Sequence, residues 1–81
     1  MSQTRWFREA FEVYYQMMGA PASQQEGLRD IYWTLVENAA TTGKFSRTDL
    51  HKVIVHRFPK YRHARLEGFG PEQAFEIAGK A

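Results

Sequence analysis

Apolar positions recur along this chain with the three-to-four-residue rhythm of helices, and no stretch of useful length alternates as a strand would. In residues 4–18, Phe7, Phe11, Tyr14 and Met18 form one helical set. Trp6, Ala10, Val13 and Met17 form a second, and Arg5, Arg8, Glu9, Glu12 and Gln16 leave only a narrow polar stripe. A helix apolar around most of its circumference is either central in its fold or shared with a partner. Gly19 suits a C-terminal cap, and the following GAPAS stretch suits a turn.

The second helix is expected to start at Ser23, with Glu26 three residues on completing a capping box. Leu28, Ile31, Tyr32, Leu35, Val36 and Ala39 then make one stripe, which Thr41, Thr42 and Gly43 end. The third helix has Ser46 as cap, Asp49 as box partner, and Phe45 with Leu50 as a hydrophobic staple. Leu50, Val53, Ile54 and Phe58 are its expected inner face. Pro59 disfavours helix at Phe58 and predicts the end there. Residues 60–70 fit either a short helix or a small hairpin. A last helix starts at Gly70–Pro71, with Glu72 favourable to its dipole and Ala74, Phe75, Ile77 and Ala78 facing inward. The expected fold is all-α, a single domain at 1–81 built as a compact bundle of four to five short helices. Its second half could be helix-turn-helix-like, although residues 40–45 make a long linker for the standard three- to four-residue turn.

Charge changes the picture more than composition does. Seven of the eleven Lys and Arg residues lie between positions 44 and 65, against one acid, Asp49. Residues 1–43 hold three bases and five acids, and residues 66–81 one base and three acids. The overall +2 therefore conceals a local +6 between two acidic stretches. Segregated positive charge points to an anionic partner, either a nucleic acid, with DNA the first expectation, or an acidic protein. The candidate binding residues are Lys44, Arg47, Thr48, His51, Lys52, His56, Arg57, Lys60, Arg62, His63 and Arg65. Arg47 and Thr48 fall in the first turn of the third helix, where backbone N–H groups can also meet a phosphate.

The other notable feature is the first helix. Trp6, Phe7, Phe11, Tyr14, Tyr15 and Met18 are a large apolar load for an 81-residue domain with a thin core. They are the candidate surface for a partner or for homo-oligomer formation.

Reaction chemistry finds little footing. There is no cysteine, so disulfides and thiol chemistry are excluded. His51 and His56 are five residues apart and do not project together, and neither an HExxH pattern nor a phosphate loop is present. Ser2, Ser23 and Ser46 fit a terminus and two caps. The expectation is a non-enzymatic regulatory or accessory protein with no metal, no cofactor and no evident small-molecule substrate. Arg8, Glu9 and Glu12 interrupt any signal-like apolar run at the start, and no stretch reaches ~20 apolar residues. The chain therefore reads as cytoplasmic, without a membrane contact.

The segment FSRTDLHKVIVHRFPK resembles the recognition-helix region of AlpA-type excisionases and regulators through Ser46, Arg47 and Thr48 and the run Arg57, Phe58, Pro59, Lys60. The resemblance covers residues 45–78. It implies that Arg47 and Thr48 approach DNA and that residues 60–70 form a wing. The helix upstream departs from that pattern in length and turn.

Overall fold

A computed structural model describes residues 3–80 as four helices, with no strand among them: α1 (Gln3–Gly19), α2 (Ala22–Thr42), α3 (Arg47–Leu66) and α4 (Pro71–Gly79). Helix α1 packs mainly on α2 as a helical hairpin, and α4 folds back on α3. The two pairs meet through the aromatic face of α1. Phe7 and Phe11 stand edge-on to Phe75 of α4, Phe11 packs on Tyr61 of α3, and Tyr14 lies 4.7 Å from Phe58 and 5.2 Å from Tyr32. Phe11, Tyr32, Val36, Ile54 and Tyr61 are the large fully buried side chains. Buried alanines (Ala10, Ala39, Ala64, Ala74 and Ala78) occur on every helix and let the backbones approach closely. The radius of gyration is 12.1 Å, against about 12 Å for a well-packed domain of this length.

Helix starts and stops follow local chemistry, with three departures from expectation. Helix α2 begins earlier than predicted. Pro21, with φ −63° and ψ 155°, is its N-cap, and Ser23 lies inside the first turn without a capping bond. Proline lacks the N–H that a helix start would leave unpaired, so it outcompetes the hydroxyl signal two residues on. At the other end, the Thr41 and Thr42 hydroxyls donate to the Asn38 carbonyl at 2.9 and 3.1 Å and let α2 run to Thr42. The connection to α3 is therefore only the four residues 43–46.

The second departure is Pro59. Helix α3 does not stop at Phe58 but continues through Pro59 to Leu66, so residues 60–66 are helix and the wing implied by the resemblance does not form. The broken bond is the one Val55 O would have accepted. Val55 is 45% exposed, so that carbonyl lies on the water-facing side of the helix. A proline inside a helix costs about 3 kcal/mol. Burial of Tyr61 (0% exposed) and Ala64 (2%), together with the hydrogen bonds of Tyr61 and Arg65 described below, offsets it.

The third departure is at two apolar positions. Ile31 and Val53, expected inside, are 51% and 39% exposed. Elsewhere the signals hold. Ser46 Oγ accepts from Asp49 N at 3.2 Å, and Pro71 opens α4. Gly68, with φ 104°, ends α3 in a left-handed turn in which Phe69 N donates to Ala64 O and Gly68 N to Arg65 O, both at 3.1 Å.

Candidate anion-binding face and apolar cleft

The basic residues of α3 divide by direction. One group makes contacts within the chain, Arg47 and Lys60 doing so at the surface. Arg65 donates through Nε and Nη2 to both Glu12 carboxylate oxygens (2.9 and 3.1 Å) and through Nη1 to Phe69 O, and its guanidinium lies 5.1 Å over the Tyr15 ring. Arg57 Nη1 donates to Ala78 O at 2.9 Å and Lys60 Nζ to Lys80 O at 3.1 Å, so two cations meet the orphan carbonyls and negative dipole end of α4. His51 is half-buried: its Nδ1 lies 2.7 Å from the Tyr32 hydroxyl and its ring 4.9 Å from Trp33. Arg47 is on the surface and paired with Glu37 at 3.0 Å.

The second group faces water. Lys52, His56, Pro59 and His63 follow one another at helical steps of four, three and four residues and form a straight outer ridge. From Lys52 to His63 it spans about 16 Å at the helical rise. Lys60 and Arg62 flank it, Thr48 lies near its start, and Lys44 precedes it in the connection. Among the described residues no carboxylate pairs with Lys44, Lys52, Lys60 or Arg62. Among the described residues the one carboxylate against the ridge is Glu67, whose Oε1 lies 2.8 Å from His63 Nε2. This outer face keeps Lys44, Thr48, Lys52, His56, Lys60, Arg62 and His63 from the expected set. His51, Arg57 and Arg65 are drawn into structural contacts, and Arg47 is paired with Glu37.

Sequence reading missed the partner that takes Arg65. Glu12, placed in the polar stripe of α1, is only 17% exposed and accepts from Tyr61 Oη at 2.6 Å as well as from Arg65 and Gln16. Burial pushes its carboxyl up. The bonds from Arg65, Tyr61 and Gln16 and the Arg65 charge outweigh that, and the group sits below the ordinary carboxylate range. Burial and the neighbouring Glu12 carboxylate push the Tyr61 hydroxyl up, and burial does the same to Tyr32, so both stay protonated.

The α1 aromatics are largely used inside the chain. Phe11 is core, and Trp6, Phe7, Tyr14 and Tyr15 are partly buried against it. Of the expected partner surface only Met18, at 54% exposed, stands out. The structure also contains a cleft of about 370 Å³ that no local signal announced. Phe7 and Phe11 of α1, Leu50 and Val53 of α3 and Phe75 of α4 make its apolar walls, with Phe45 at its edge. Among the described residues Arg57 is its one charged lining residue. Its parts come from three helices far apart in the chain, and none is unusual in its own segment.

No family model, curated protein or solved structure matches the chain. Among the described residues no group of three or more His, Asp or Glu side chains is placed to hold a metal ion, and no helix is long and apolar enough to cross a membrane.

Proposed function

We propose that this chain is a non-catalytic nucleic-acid-binding protein of regulatory or accessory type, with the outer face of α3 as its contact surface. The observation that carries the reading is the ridge of Lys52, His56 and His63 flanked by Lys60 and Arg62, on which no carboxylate opposes the lysines or Arg62 among the described residues. Phosphates are bound by such unneutralised cations, and the bound counterions they displace make the affinity fall with salt. Base reading is a separate matter, and the ridge supplies positioning contacts.

An acidic protein is the second reading. Val55 (45% exposed) and Leu66 (61%) lie beside Arg62 on the same helix, and apolar side chains among cations suit a protein surface better than a phosphate backbone. Fluorescence anisotropy with labelled duplex DNA and with RNA at ~50 mM salt separates the two. With three of Lys44, Lys52, Lys60 and Arg62 on phosphates, log affinity for duplex DNA falls against log salt with a slope of about −3. No binding to either nucleic acid at that salt rejects the first reading and promotes the second.

A further inference from the structure

Two concavities meet at Arg57. The apolar cleft lies on one side of it. On the other is a notch of about 310 Å³ bordered by His56, Lys60, Ala78 and Lys80. Arg57 lines both, and among the described residues no carboxylate lines either. A guanidinium carries five N–H donors, and Arg57 uses Nη1 on Ala78 O, leaving Nε and Nη2 without a protein acceptor among the described residues.

The cleft is open because the chain leaves it unfilled. Gly79 borders it, and a Cβ built there would meet nothing within 4 Å. Phe45 and Val53 stay 58% and 39% exposed at its edge, apolar area that an occupant would remove from water. The volume is at the small end of ligand pockets, whose common form is an apolar body with a few placed polar groups.

We propose that the cleft and notch together form a binding site for a small amphiphilic carboxylate, an alkyl or aryl acid of modest size. Its apolar body lies against Phe7, Phe11 and Phe75, and its carboxylate meets Arg57, with Lys60 and Lys80 beside it. A planar carboxylate matches the guanidinium fork, and a cationic or strongly hydrated head does not. The site is independent of the nucleic-acid reading, although Lys60 and His56 border both surfaces.

The test is a two-dimensional amide NMR titration of the full chain with sodium decanoate, with decyltrimethylammonium as the same alkyl chain under opposite charge. Shifts should centre on Phe7, Leu50, Val53 and Gly79, and decanoate should bind at least about tenfold tighter. Val53→Trp, at a partly exposed position, should fill the cleft and weaken decanoate by about tenfold or more. Gly79→Leu narrows the same cleft from α4 and serves if the first variant does not fold. Lys60→Gln with Lys80→Gln should weaken decanoate several-fold and leave the cationic amphiphile no weaker. Equal affinity for the two amphiphiles overturns the proposal. So do shifts centred on Met18 and Leu66, a folded cleft-filling variant that binds like the parent, or no shift at about 1 mM decanoate.

Discussion

Replacing Glu12 by Ala is the sharpest structural perturbation available, because one carboxylate joins α1 to α3 through two side chains. Its loss leaves the Tyr61 hydroxyl, on a residue 0% exposed, without its carboxylate acceptor. An unsatisfied buried hydroxyl costs about 1–3 kcal/mol. The loss also removes both Arg65 bonds. Arg65 is 24% exposed and keeps Phe69 O and the Tyr15 ring, so this part is worth about 1 kcal/mol, nearer a surface pair than a buried one. The sum is about 3 kcal/mol, which for a domain of this size lowers Tm by roughly 12–24 °C. Tyr61→Phe should cost less, about 1.5 kcal/mol, because Glu12 then keeps Arg65 and no polar group is orphaned. Urea melts of the two single variants and the double variant close a cycle, and the two losses should fall short of additivity by about 1 kcal/mol or more. Additive losses, or a Glu12→Ala cost below about 0.5 kcal/mol, would place Glu12 among ordinary surface charges and refute the reasoning.

The same carboxylate gives a pH dependence. Its folded value lies below its ordinary value of 4.5, so its contribution is complete above about pH 4.5 and is lost as pH falls through the lower folded value. Acid titration of the melting midpoint should show this loss in the parent and a smaller one in Glu12→Gln. Pro59→Ala restores the bond to Val55 O in mid-helix and should raise stability by about 1–2 kcal/mol after allowing for the freer unfolded chain; a loss of stability would argue against continuous helix there. Gly68→Ala forces a side chain into φ 104° and should cost about 1 kcal/mol or more in the same melts, and no cost would contradict the left-handed turn.

The helices were legible wherever the signal was local. Ser46 with Asp49, Gly70 with Pro71, and the spacing of Tyr32, Val36 and Ala39 each mark an element by themselves. Pro59 misled because its cost is local and its compensation is not. The burial of Tyr61 and the Glu12–Arg65 pair depend on α1, more than forty residues away in sequence. That one error carried into the site. With α3 ended at Phe58, Arg65 falls in a segment that fits either a short helix or a small hairpin, and its direction is undefined. With α3 continuous, Arg65 falls four residues after Tyr61 along the inner stripe; Arg57, seven residues after Leu50, lies before Pro59 and is turned inward whether or not α3 continues. Charge counting locates a basic segment but not the directions of its side chains. The cleft could not be read at all, because its walls are assembled only when α1, α3 and α4 pack.

The central claim is that the outward cations of α3, and not the chain's positive charge in general, make the binding surface. Measuring the salt slope of duplex DNA binding for Lys52→Ala with Arg62→Ala, beside Arg5→Ala with Arg8→Ala, tests it directly. Both pairs remove two positive charges. Lys52 and Arg62 have no carboxylate partner among the described residues, whereas Arg5 and Arg8 lie by Glu9 and Glu72. The account predicts that the α3 pair flattens the slope by up to about 2 units and weakens binding to all sequences alike, while the α1 pair leaves the slope near its parent value. Equal losses from the two pairs would mean diffuse attraction and contradict a binding face on α3.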